Sequence, residues 1–218
     1  MKTVIRDIFE TNLGNIELTI NSEFGLENQF EDKLNVENEN YKITVVVVDL
    51  NKAVISEDKN IENSKCWRIY IEKQSEKVEK LNVICKLLNP SLTTNWDYSS
   101  GESLDAIEIE NGFDQLHIGT EDGKVMNLRA ENNDWLPVRL KHEISLENPI
   151  TEYLDFGFES LIPYLAINEK LYLHFLVATK KIEHENNDNI STWLAVDWSK
   201  AELDKLSQRY SGQQLVNE

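Results

Sequence analysis

Leu171-Tyr172-Leu173-His174-Phe175-Leu176-Val177-Ala178 is the stretch that decides the fold. Leu171, Leu173, Phe175 and Val177 alternate with Tyr172, His174, Leu176 and Ala178, so an extended backbone here presents largely apolar side chains on both faces. Such a strand belongs in the interior of a sheet covered above and below, because each face must leave water. His174, set between Leu173 and Phe175, reads as a satisfied interior imidazole. Beyond a polar run at 180–189, Trp193, Ala195 and Asp197 alternate with Leu194, Val196 and Trp198, which predicts a second strand pairing with the first. Ser199 stands three residues ahead of Glu202, the spacing of a capping box. Leu203, Leu206 and Tyr210 follow at helical intervals, with Lys205 and Arg209 where cations suit the helix dipole, so a helix is expected over 199–210 and a loose tail over 211–218.

The same order is read earlier in the chain. Residues 41–50 contain four consecutive valines, Val45 to Val48, whose branching favours extended backbone and whose continuity predicts burial on both faces. After a polar run at 56–65, Trp67, Ile69 and Ile71 alternate with Cys66, Arg68 and Tyr70. Val78, Leu81, Ile84, Cys85 and Leu88 then recur at three or four residues behind Ser75, predicting a helix over 75–88 that ends at Asn89-Pro90. At a shift of 131 positions, Val45, Val46 and Val47 fall on Leu176, Val177 and Ala178. Two organisations follow: one continuous unit over 1–218, or two similar halves, 1–98 and 104–210, with a disordered tail.

Ile16, Leu18 and Ile20 alternate with polar residues after a turn at Gly14, the pattern of a strand with one wet face. The clearest hairpin joins Ile107-Glu108-Ile109-Glu110 to 113–118 through Asn111-Gly112. Downstream, a helix over 121–130 competes with a second hairpin through Asp122-Gly123, and 135–140 reads as a short strand broken by Pro137. At 156–165 the composition allows a short helix, Gly157 and Pro163 speak for an extended segment, and both readings stay open. The fold class expected is α+β, mainly antiparallel sheet or sandwich with a few packed helices.

The 39 Asp plus Glu against 22 Lys plus Arg leave a formal charge of -17, which repels phosphate backbones and anionic lipid surfaces. Neither nucleic acid nor membrane is therefore expected as a partner; solubility is the ordinary reading of the acidity, and a basic protein partner is the specific alternative. Cys66 and Cys85 lack metal-ligand spacing and read as reduced, semi-buried thiols. With no long apolar run and no apolar core behind Met1-Lys2, a cytoplasmic location is expected.

No motif for a cofactor, a phosphate loop or a serine nucleophile elbow emerges. The hairpin region gathers Glu108, Glu110, Asp114, His117, Glu121 and Asp122. Carboxylates around one imidazole suit a divalent cation or acid–base work, making Asp114, His117, Glu121 and Asp122 candidate metal ligands of a metal-assisted hydrolase. Acid on the wet face of a hairpin is the ordinary alternative. Among the tryptophans, Trp96 and Trp198 have polar or acidic neighbours and are candidate contacts for a protein partner. The first functional expectation is a non-catalytic acidic binding or regulatory protein; the metal-assisted hydrolase is the second.

Overall fold

The computed structural model describes residues 1–23, 34–48, 61–99, 101, 104–142, 150–182, 192, 193 and 196. Two antiparallel sheets face each other. The smaller has the order β1 (Lys2–Thr11), β2 (Gly14–Ser22), β6 (Leu81–Leu88), β11 (Gly157–Ile162), β10 (Thr151–Leu154). The larger runs β3 (Asn35–Glu37), β4 (Tyr41–Val48), β5 (Asn63–Lys73), β12 (Lys170–Lys181), β9 (Asp114–Glu121), β8 (Leu104–Glu110), β7 (Asn95–Tyr98). With the helix α1 (Gly123–Glu131) among the described residues, this is a sandwich-like α+β fold. Among the described residues no helix is long and apolar enough to cross a membrane.

The stretch 171–178 lies in the middle strand of the larger sheet, paired to β5 on one side and β9 on the other, and every residue from Leu171 to Lys180 is buried. Its odd-numbered side chains join the core between the sheets, where the Phe175 ring lies 6.3 Å from that of Phe158 on β11. Leu176 and Ala178 face the other way and form a second apolar cluster with Cys66, Leu104, Ala106 and Val196. Gly119 and Gly101 make room for this outer cover: a Cβ on the first would run into Val196, and one on the second would lie 2.8 Å from the Trp193 ring.

Several expectations are corrected. Residues 81–88 form the strand β6, the middle of the smaller sheet, and not a helix. The three-and-four spacing of Leu81, Ile84, Cys85 and Leu88 hides a period of two in Leu81, Val83, Cys85 and Leu87, all buried, and ladders to β2 and β11 satisfy the backbone on both sides. Thr192, Trp193 and Val196 are helical and not part of a strand; β12 already has two neighbours, and helical spacing brings Trp193 and Val196 onto the same face. The valine run is extended but not buried on both faces: Val46 and Val47 are 40% and 38% exposed, since β4 has only the three-residue β3 outside it. Residues 138–142 form a 3-10 turn where a short strand was expected, behind Trp135 in the left-handed region at φ 50°.

The hairpin β8–β9 stands as read, with φ 86° at Gly112 and the Asn111 side chain accepting from the backbone of Phe113 and Asp114. Of the two readings after it the helix forms, capped by Asp122, whose carboxylate accepts from the Val125 N–H. Residues 157–162 are extended, and Gly157 lies so close to the Cys85 carbonyl and Lys86 that no side chain fits. Both cysteines are buried free thiols. The stretches 41–48 and 171–178, whose likeness suggested two similar halves, lie in one sheet with β5 between them, and the first leads through strands while the second leads to helical residues. Each sheet takes strands from both sides of residue 100, so a boundary there cuts through both. The helix expected over 199–210 and the tail 211–218 lie outside the described residues.

Candidate functional site

Two places gather the residues that the sequence singles out: the outer face of the larger sheet around His117, and the sandwich end where the edge strands β7 and β10 meet. His117, on β9 and 1% exposed, makes two hydrogen bonds. Gln115 must present its amide NH2 to the Glu108 carboxylate, which only accepts, so its carbonyl receives the Thr192 hydroxyl at 2.9 Å. That hydroxyl in turn accepts from His117 Nδ1 at 2.9 Å, leaving Nε2 to accept from Ser99 Oγ at 3.0 Å. The direction of every bond from Ser99 to Glu108 is thus set by the terminal carboxylate. Burial, with the nearby Lys180 charge, pushes the His117 imidazole down to about 3. A ring so hard to protonate is a poor proton acceptor at neutral pH. In this position the ring ties Thr192, and with it the turn that carries Trp193 and Val196, to the sheet.

The other candidate ligands do not converge on it. Glu108 Oε2 lies 3.7 Å from His117 Nε2, but Asp114 is at the hairpin end, accepting from Asn12 Nδ2 at 3.0 Å. Glu121 is buried in an ion pair with Arg129, and Asp122 caps α1. Asp114 and Glu121 sit at opposite ends of β9, roughly 23 Å apart along an extended backbone. Among the described residues no three His, Cys, Asp or Glu side chains are placed to hold a metal ion.

Trp96 is different. On β7, Trp96 and Tyr98 alternate with Asn95 and Asp97, and this register sends Trp96 and Tyr98 toward the smaller sheet and Asp97 to the outer face. Tyr98, 62% exposed, meets Trp96 edge-on at 5.4 Å and Tyr153 of β10 at 4.8 Å. Tyr153 continues to Phe158 at 5.0 Å, while Phe156, in the β10–β11 turn, lies 6.1 Å from Trp96. The result is an aromatic ladder from the core to the surface, with Trp96, Tyr153 and Phe156 half-buried. Phe156 sits at φ 62°, in a region that a bulky L-residue occupies at a cost of order 1–3 kcal/mol. The surrounding structure holds it there: its carbonyl accepts from the Leu87 N–H at 2.9 Å.

Carboxylates surround this ladder. Asp97 opposes Glu108 directly across β7–β8, and Glu152 opposes Glu159 across β10–β11, like-charge pairs that strain the sheets. Asp105 accepts from the Tyr153 hydroxyl at 2.9 Å. Burial pushes the Asp105 carboxyl above its ordinary range, aided by Asp122 and opposed by that hydrogen bond. A second half-exposed aromatic pair, Tyr70 and Trp135, already has cations over it: Arg68 lies 5.4 Å from the Tyr70 ring centre and Lys170 5.3 Å from that of Trp135. Trp198 lies outside the described residues. Trp96 was visible in the sequence from its polar neighbours; Tyr98, Tyr153 and Phe156 were missed because only the pairing of the sheet edges brings them together.

Comparison with protein-family models, with curated proteins and with solved structures finds no match.

Proposed function

We propose that this chain is a non-catalytic acidic binding or regulatory protein that takes hold of a basic segment of a protein partner at the aromatic edge formed by β7 and β10. The observation that carries this reading is Tyr98, largely exposed yet fixed edge-on between Trp96 and Tyr153, with Asp97 beside it. An aromatic face beside a carboxylate-lined one suits a segment of mixed basic and apolar side chains: the rings cover apolar side chains and the stems of Lys and Arg, and the carboxylates supply charge-assisted hydrogen bonds to the cations. Rigid half-buried aromatic residues are also what interface anchors are made of. The formal charge of -17 favours rapid encounter with a basic partner. A cytoplasmic setting belongs to the same proposal, supported by two buried thiols that remain unpaired.

The test is binding of a fluorescent eight-residue lysine peptide, measured at 50 and 300 mM salt. Wild-type protein binds and weakens severalfold at the higher salt; Trp96→Ala and Tyr98→Ala each weaken binding about fivefold or more. Equal affinity for wild type and both variants would make the attraction one of bulk charge and overturn the assignment to this edge.

A further inference from the structure

We infer that the partner segment adds to the larger sheet as an extra strand along β7, and that its sequence alternates basic and apolar side chains. This deepens the proposed function and rests on it. The parity of β7 carries the inference. The Ser99 N–H donates to the Ala106 carbonyl at 2.9 Å and the Gly101 N–H to the Leu104 carbonyl at 2.8 Å, so the odd-numbered residues turn their backbone toward β8. In an antiparallel ladder the intervening residues turn theirs away. Trp96 and Tyr98 therefore point their N–H and C=O groups out from the sheet edge, beyond which no further strand lies among the described residues.

Among the described residues the edge is only lightly guarded. β7 is four residues long, and the Tyr98 N–H is occupied by the neighbouring Asp97 side chain at 2.7 Å, a contact that an incoming carbonyl can replace. Once displaced, the Asp97 carboxylate is free to meet a cation. Side chains of an added strand alternate between the two faces of the sheet. On the outer face they meet Asp97, with Glu108 and Glu110 on the next strand; on the inner face they meet Trp96 and Tyr98. Lysine or arginine at every second position would relieve the Asp97–Glu108 repulsion, and apolar residues between them would cover the aromatic rings.

The test compares two labelled peptides of identical charge, an eight-residue alternating lysine–valine peptide and the same peptide N-methylated at every residue, so that neither of its edges can donate to a strand. Strand addition predicts at least tenfold tighter binding of the unmethylated peptide. It also predicts that Tyr98→Pro, which removes an outward N–H and leaves the β7–β8 ladder intact, weakens binding further than Tyr98→Ala. Equal, salt-sensitive affinity of the two peptides would overturn strand addition while leaving the acidic aromatic edge in place. Failure of both peptides to bind would overturn the edge itself, and strand addition with it.

Discussion

Phe175→Ala is expected to lower the unfolding free energy by about 3–5 kcal/mol, the range for truncating a buried aromatic residue in a packed core. The side chain is fully buried in the middle strand of the larger sheet, against Phe158 of the smaller. The loss combines the lost transfer of the ring with the cavity left between two sheets that are each pinned by ladders and cannot collapse. Against a typical total of about 5–15 kcal/mol, this is enough to leave the protein marginal. Val46→Ala, on β4 of the same sheet, should cost less than about 1 kcal/mol, because that side chain is already 40% exposed. Urea denaturation of the two variants measures the contrast. Similar losses would mean that the middle strand has no special place in the core.

The second large effect is on acid stability. The His117 imidazole is held down to about 3 in the folded protein against 6.5 when unfolded, so the unfolded chain takes up a proton that the folded protein refuses. The stabilisation is fully present above about pH 6.5 and is lost as the pH falls toward 3, at roughly 1.4 kcal/mol per pH unit. His117→Gln removes that dependence whatever it does to absolute stability. Its unfolding free energy should fall with acid less steeply than wild type by about that amount per unit between pH 6 and 4. The relay predicts a local event too: protonating Nε2 replaces the acceptor for Ser99 with a donor, so that bond must reverse or break while the Nδ1 donation to Thr192 is kept. Parallel slopes for the two proteins would contradict the buried neutral imidazole.

The sheet elements of the fold were legible wherever a period of two met a clear boundary. Ile16, Leu18 and Ile20 on β2, the turn at Asn111-Gly112 and the doubly apolar 171–178 all follow from side-chain alternation and turn chemistry alone. β6 was misread because a strand whose wet-side positions include Ile84 and Leu88 also satisfies a helical template; long-range ladders decided between them. Val45 to Val48 show a different limit: branching reports backbone preference, and the place of the strand in the sheet determines burial. Glycine spoke more faintly. Gly119 and Gly101 mark where the outer cover sits, but only the placement of Val196 and Trp193 gives them meaning.

Of the site residues, His117 was singled out as a candidate metal ligand; its place in an interior relay with Ser99 and Thr192 is one that no local spacing reveals. Trp96 stood out through its neighbours; its ladder needed the meeting of two strands 55 residues apart in Trp96–Tyr98 and Tyr153, joined by edge-on contact. Acidity, abundant throughout, carried little positional information. The like-charge pairs across β7–β8 and β10–β11 become informative only when the register is known.

The most direct measurement of the central claim is the set of indole N–H resonances of the 15N-labelled protein, assigned by Trp→Phe replacement and followed as an eight-residue lysine peptide is added. The Trp96 resonance should move in proportion to occupancy, while that of Trp67, buried and donating to Asp7 Oδ2 at 2.6 Å, stays where it is. A peptide that binds with the Trp96 resonance unmoved would place the contact elsewhere and contradict the account.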